Sequence, residues 1–304
     1  MSNFTSVSVF LLLKLSEVRE LQLLHFVVFL ILYLAIMTGN LLIIAAVAFD
    51  HHLHTPMYFF LMNLAILDLG SVSTTVPKSM ANSLLNSQSI AYSGCVAQFF
   101  FFLFFEASDL ALLTIMAHDR YVAICDPLRY ETIMNQGACL QMVASAWIAG
   151  LLYAAVHTGS MFSIPFCSNV VNQFFCEIPK LLKITCSDLY LIEVGLVVLG
   201  CMVVLGCFIY IILTYVHIFS SVLRNPSKQG KQKAFSTCIP HLAVFSTFVF
   251  TGVFAHLRPP MDTSSDQDLA FSLIYTMVPP MMNPIIYSMR NKQLKLALWK
   301  LLGV

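Results

Sequence analysis

Seven apolar stretches constrain this chain more than any other feature: residues 23–49, 57–77, 94–117, 138–161, 189–222, 234–257 and 269–289. About 20 apolar residues make a helix long enough to cross the hydrocarbon core of a bilayer, where every backbone polar group must be satisfied internally. Four of the seven stretches contain no Asp, Glu, Lys or Arg. With 59% of positions hydrophobic, 10% charged and a mean hydropathy of +0.82, the chain is too apolar for a single water-soluble core. The predicted fold is an all-α membrane protein, one seven-transmembrane helix bundle over residues 1–304. Residues 1–22 form an extracellular N-terminus, 23–290 the bundle with its loops, and 291–304 a cytoplasmic tail. The formal net charge of +1 gives no bulk attraction to nucleic acid.

Turn-forming and charged clusters at 50–56, 82–93 and 126–137 separate the first four runs. The seventh run carries Pro279, Pro280, Asn283 and Pro284, which a spanning helix tolerates only where neighbours or water satisfy the freed carbonyls. An odd number of spans puts the termini on opposite sides, and the basic residues choose the orientation. With the N-terminus outside, the cytoplasmic side holds Arg120, Arg129, Arg224, Lys228, Lys231, Lys233, Arg290, Lys292, Lys295 and Lys300. The other side holds Lys14, Arg19, Lys78, Lys180, Lys183 and Arg258, ten against six in favour of N-out. Asn3-Phe4-Thr5 is a glycosylation sequon on the side this places outside. The stretch 7–15 is short, contains Lys14 and lacks a small-residue cleavage site, so the first span is expected to serve as the insertion signal.

Of nine cysteines, Cys125, Cys139, Cys201, Cys207 and Cys238 fall in or at the cytoplasmic side of spans and read as small packing residues. Cys95, Cys167, Cys176 and Cys186 fall on the outer side, where disulfides are permitted. Four cysteines allow three pairings, and residues alone do not choose among them.

A charge at mid-bilayer costs at least about 2.5 kcal/mol, so each asks for a reason. Asp68 and Asp109 each lie 11 residues from a cytoplasmic edge, at Met57 and Arg120, hence about 16 Å deep. Asn40 and Asn283 reach a similar level. Two carboxylates together in low dielectric call for a bound cation such as Na⁺ or a retained proton; the alternative is a structural cluster of protonated acids. Glu106, one turn outward of Asp109, reads either as a polar anchor on the floor of a ligand cavity or as an interhelical hydrogen bond. His157 and Glu193, near outer span ends, read as wetted side chains. Asp119-Arg120-Tyr121 closes the third span, and Pro284 stands between Asn283 and Tyr287 as a helix-distorting residue.

In order and spacing these segments resemble the rhodopsin-like G protein-coupled receptors, specifically odorant receptors of the tetrapod type. The motifs are Gly39-Asn40; Leu53-His54-Thr55-Pro56-Met57-Tyr58-Phe59-Phe60-Leu61 leading to Asp68; Met116-Ala117-His118-Asp119-Arg120-Tyr121-Val122-Ala123-Ile124-Cys125; and Pro127-Leu128-Arg129-Tyr130. They continue with Lys233-Ala234-Phe235-Ser236-Thr237-Cys238 followed by His241-Leu242, then Pro279, and Asn283-Pro284-Ile285-Ile286-Tyr287-Ser288-Met289-Arg290-Asn291.

The resemblance implies disulfides Cys95–Cys176 and Cys167–Cys186. It implies a coupling switch of Asp119, Arg120 and Tyr121, with Tyr215, Asn283, Pro284 and Tyr287 rearranging on activation. It also implies a sodium-type site of Asn40, Asp68, Asp109 and Asn283. Odorants in this family bind among the third, fifth and sixth spans under the second outer loop. By motif offset the lining here would be Phe102, Leu103, Glu106, Ala107, Leu199, Val203, Gly252, His256 and Thr276, mostly apolar as a pocket for small volatile hydrophobic ligands should be. The implied partners are such an odorant, a heterotrimeric stimulatory olfactory-type G protein that raises cAMP, and the lipid bilayer. The implied location is the plasma membrane of olfactory cilia.

Several positions depart from the family pattern. His118 stands where tyrosine is usual, Pro240 and Thr214 where serine is usual, and the sixth span reads Phe248-Val249-Phe250-Thr251 instead of Phe-Tyr-Gly-Thr. Gln173 replaces the histidine of a proposed outer-loop metal site, so no copper or zinc dependence is expected. Lys292, Lys295 and Lys300 lie off the face of Leu294, Leu298 and Leu301, the pattern of a helix lying in the membrane interface. A transporter would also use intramembrane acids, but no inverted repeat is present. No His-Glu-x-x-His or paired catalytic motif lies in a span, so no enzymatic activity is expected.

Overall fold

The structure, a computed structural model, describes residues 7–187, 189–224, 228–256 and 265–303. Asn3 and Arg258 lie outside the described residues. In chain order the elements are β1 (Val9–Leu12), α1 (Arg19–Phe49), a 3₁₀ turn (His51–Leu53), α2 (Pro56–Leu85), β2 (Ser89–Ala91), α3 (Tyr92–Cys125), α4 (Tyr130–Ile133), α5 (Gln136–Phe162), β3 (Val170–Val171), α6 (Ile178–Leu182), α7 (Tyr190–Arg224), α8 (Lys228–His256), α9 (Ser265–Arg290) and α10 (Lys292–Leu302). The seven long helices α1, α2, α3, α5, α7, α8 and α9 coincide with the seven apolar runs.

Among the described residues, α1, α2, α3, α5 and α7 are long and apolar enough to cross a membrane. The sixth and seventh runs are helical too, but the apolar part of α8 is confined to Cys238–Gly252. Helix α9 carries Pro279, Pro280 and Pro284 in its interior. Helix α2 runs two turns past the expected end at Pro77 and stops only at Asn86, whose φ of 50° breaks the helix. One proline removes one ladder bond without forcing an end when the rest of the helix is packed. Short polar side chains set the other ends. Asn135 accepts the Ala138 amide at 2.9 Å to start α5, and Asn291 accepts those of Gln293 and Leu294 to start α10.

The outer end holds an element the helical reading missed. β1 pairs antiparallel with β2 and parallel with β3, making a three-stranded sheet over the mouth of the bundle. Its inward residues Phe10 and Leu12 are buried, each worth about 1.5–3 kcal/mol of apolar transfer. The Phe10 ring lies against Tyr92 and Phe166 at 5.9 and 5.3 Å. Two disulfides, Cys95–Cys176 and Cys167–Cys186, tie the loop that carries β3 to the start of α3 and to itself. Of the remaining cysteines, Cys139 and Cys238 are buried packing residues, whereas Cys201 is exposed on α7, facing outward.

Candidate functional site

The mid-membrane polar cluster assembles around proline chemistry. Pro284 has no N–H to give the carbonyl of Pro280, one turn earlier, and that carbonyl instead accepts from Asn40 Nδ2 at 3.1 Å. The approach is close: a Cβ on Gly39 would lie 3.1 Å from Pro284 Cβ. The Gly39-Asn40 pair thus has one residue admitting the proline ring and the next satisfying the carbonyl it frees. One turn along α9, Asn283 Nδ2 donates to both oxygens of Asp68, at 3.1 and 2.8 Å. Asp109 faces the same cluster, 5% exposed. The side-chain oxygens Asn40 Oδ1, Asp109 Oδ1 and Asn283 Oδ1 are buried with no hydrogen-bond partner among the described residues. The centre is therefore rich in acceptors and poor in donors, the donor set a hard cation takes.

Glu106 joins this cluster through α2: Ser71 Oγ donates to its Oε1 at 3.0 Å. Above it the ring of Phe102 meets Phe175 of the outer loop at 5.1 Å and Tyr275 of α9 at 6.0 Å. The loop and α9 are knitted together beside these rings. Gln173, 1% exposed, donates through Nε2 to Glu177 Oε1 at 3.0 Å and Ser272 Oγ at 2.6 Å, and Tyr275 Oη donates to Glu177 Oε2 at 2.7 Å. Gln98 of α3 carries the network onward, accepting the Cys176 amide at 2.9 Å and donating to the Thr74 carbonyl at 3.1 Å. Gln173, where sequence shows only a missing histidine, bridges the loop and α9 because its NH₂ carries two donors, while its Oε1 accepts the Phe174 amide.

Of the residues expected to line a ligand cavity, the structure brings Phe102 and Glu106 to this region. Leu103 packs partly buried on the outer cluster below the sheet, and Ala107 is half-buried on α3. Thr276 is buried, but its hydroxyl bonds back to the Ser272 carbonyl at 2.8 Å. Leu199 and Val203 do not join them. They are 62% and 58% exposed, well round the helix from the face on which Glu193, Ile211, Tyr215, Ile218 and Val222 of α7 are buried. A Cβ on Gly252 would meet open space. His256 ends α8, and its side chain lies outside the described residues. A separate cavity of about 690 Å³ opens on the outer face beside Tyr92, Phe162 and Phe166, away from the floor of the bundle.

His157 and Glu193 correct the expectation of wetted side chains. They are 2% and 0% exposed, with His157 Nδ1 at 2.5 Å from Glu193 Oε1, and they join α5 to α7. Helix α5 closes at Phe162 and α7 opens at Tyr190, close to the expected span ends, but the pair lies where these two helices meet and is shut off from water, with the Tyr153 ring tilted against the imidazole at 4.3 Å.

At the inner end, Arg120 is 8% exposed and pairs with Asp119 at 3.1 Å. Asp119 Oδ1 also accepts from Tyr130 Oη on α4 at 2.8 Å. That phenol, outside the spans, is pushed well above the ordinary tyrosine range by burial and by the adjacent Asp119. Tyr121 meets His217 edge-on at 6.5 Å. Tyr215 Oη lies 2.7 Å from His241 Nδ1, while Tyr287 Oη, buried nearby, has no hydrogen-bond partner among the described residues. His118 Nδ1 is 2.8 Å from Tyr210 Oη on α7, a tie between α3 and α7 not anticipated from sequence. Arg224 is exposed and Lys231 half-buried at the inner rim; the side chains of Lys228 and Lys233 lie outside the described residues. Tyr58 Oη, 2.9 Å from both Asn291 Oδ1 and Gln293 Oε1, holds the start of α10.

Comparison with known proteins agrees with this geometry. The olfactory receptor family profile matches residues 29–303. Human olfactory receptor 14I1 is 52% identical over 302 residues, covering 99% of this chain and 97% of the relative. Human olfactory receptor 14C36 is 52% identical over 303 residues, with the same coverage, and human olfactory receptor 14J1 is 49% identical over 304 residues, covering 100% and 95%. A bundle of long apolar helices, an inner Asp119–Arg120 pair and this continuous similarity lead to one assignment: the chain is a multi-pass membrane protein of the olfactory receptor family, a G protein-coupled receptor and not an enzyme.

Proposed function

We propose that this receptor binds a small, largely apolar odorant beneath the outer loop, next to Phe102 and Glu106, and passes the signal to a stimulatory olfactory-type G protein that raises cAMP. Its N-terminus is outside, and it works in the plasma membrane of olfactory cilia. The observation that carries the reading is the Arg120–Asp119–Tyr130 arrangement at the inner end of α3, the helix that carries Phe102 and Glu106 at its outer half. One rigid element joins the two ends, so a ligand that prefers one placement of α3 shifts a two-state equilibrium at the other. The exposed Arg224 offers a basic inner rim to the G protein, with Lys228, Lys231 and Lys233 nearby in sequence. Helix α10 buries Leu294 and Ala297 and leaves Lys292, Lys295 and Trp299 exposed, in keeping with a helix lying along the inner membrane surface.

A Na⁺ ion fits the buried cluster by its donor set. Asp68, Asp109, Asn40 Oδ1 and Asn283 Oδ1 would hold it, and it would supply positive charge between carboxylates that lack a basic partner among the described residues. Asn283 meanwhile keeps Asp68 oriented through its two hydrogen bonds. The function is tested by cAMP production in a heterologous cell exposed to a broad odorant panel, with delivery checked by surface labelling. A ligand-dependent rise is the expected result; silence of the surface-delivered receptor across the panel would count against it.

A further inference from the structure

Glu106 is not among the groups that would hold an ion between Asp68 and Asp109, and its surroundings point to a class of ligand. Phe102, Glu106 and Asp109 follow one another at helical spacing along the inward face of α3, with Glu106 about 4.5 Å outward of Asp109. Phe102 and Asp109 are buried, and Glu106 between them is half-buried. Its Oε1 accepts from Ser71; its Oε2 has no hydrogen-bond partner among the described residues. Asp109, 5% exposed, contributes a second unpartnered carboxylate oxygen from one turn below. Among the described residues no Lys, Arg or His pairs with either acid. Directly outward stand the rings of Phe102, Phe175 and Tyr275, with centroids 5.1 to 6.1 Å apart. A carboxylate in low dielectric with one oxygen unused seeks a donor carrying positive charge, and ring faces add a cation–π contribution.

We propose that the odorants of this receptor include protonated amines with a short apolar tail, whose ammonium donates to Glu106 Oε2 while the tail packs on Phe102 and Tyr275. This rests on the reading that the odorant sits beneath the outer loop against α3, and it narrows the ligand from apolar volatiles in general to organic ammonium ions.

The test compares linear primary amines of about four to seven carbons with the alcohols of the same skeleton, reading cAMP against surface-labelled receptor. Amines should activate at lower concentration than their matched alcohols, and Glu106→Gln, which keeps size and the Ser71 contact, should raise the amine EC50 by about 30-fold or more. The amine-to-alcohol ratio should then fall to about 1, and Glu106→Asp should restore part of it, which a variant that merely misfolds would not. Silence of the surface-delivered receptor to every amine overturns the inference, as does an amine EC50 unmoved by Glu106→Gln. If Phe102→Ala shifts the EC50 of active compounds while Glu106→Gln does not, the pocket stands and the amine assignment falls. If neither variant moves any EC50, the pocket itself is wrong.

Discussion

Replacing His157 by leucine tests the packing of the outer bundle in a way that has a calculable asymmetry. The imidazole and the Glu193 carboxylate meet at 2.5 Å with both side chains essentially fully buried, and Glu193 Oε2 lacks a partner among the described residues. His157→Leu strips the carboxylate of its one hydrogen-bond partner among the described residues, and an uncompensated buried carboxylate costs about 3–5 kcal/mol. Glu193→Leu leaves behind an imidazole whose Nδ1 has lost its hydrogen-bond partner, for a smaller cost of about 1–3 kcal/mol. The double variant replaces both polar groups by apolar groups of similar volume, a change that is often close to neutral. At about 2 °C per kcal/mol for a chain of this size, the single variants should lower the melting temperature by roughly 6–10 °C and 2–6 °C, and the double variant by less than either. Thiol-reactive dye on detergent-purified receptor reads the transition, because Cys139 and Cys238 are buried until the bundle opens, while the exposed Cys201 sets a constant background. If His157→Leu proves no more costly than Glu193→Leu, or if the two losses simply add in the double variant, the buried pair is not what joins α5 to α7.

The remaining predictions concern the other ties. A Cβ at position 150 would sit 2.1 Å from Ser108 Oγ and 2.8 Å from the Phe104 carbonyl, so Gly150→Ala should cost about 1–3 kcal/mol through overpacking of α3 on α5; adding Ser108→Gly should recover part of that loss in the same melting assay. Removing the Cys95–Cys176 bond, which spans 81 residues, should destabilise by about 4–5 kcal/mol, against about 3 kcal/mol for Cys167–Cys186, which spans 19; surface delivery of Cys95→Ser and Cys167→Ser should fall in that order. Asp68→Asn should abolish the dependence of agonist potency on sodium, and a sodium effect that survives the change would remove the ion from the cluster.

Much of this was legible in residues, and the gaps have physical causes. Counting 1.5 Å per residue put Asp68 and Asp109 at one depth, and they do share a cluster, because helix rise is nearly invariant. Asn283 meets Asp68 as depth alone indicated, but that Asn40 binds the Pro280 carbonyl could not be read without knowing that α1 and α9 touch. The strand at Val9–Leu12 carries a period-2 pattern, with Phe10 and Leu12 buried on one side, but four residues are too few to distinguish a strand from a short apolar stretch until β2 and β3 are there to pair with it. His157 and Glu193 were misplaced because a linear estimate of span ends cannot show that α5 and α7 press their outer halves together. Leu199 and Val203 were assigned by motif offset, which transfers position along a helix but not the rotation of its face.

On the proposed function, a ligand bound beside α3 activates the G protein through Arg120. The direct measurement is cAMP production by the receptor and by Arg120→Ala, both delivered to the cell surface in equal amount and exposed to one odorant that activates the unmodified chain. A dose-dependent rise is expected for the first and none for the second. An unchanged response from Arg120→Ala would contradict it.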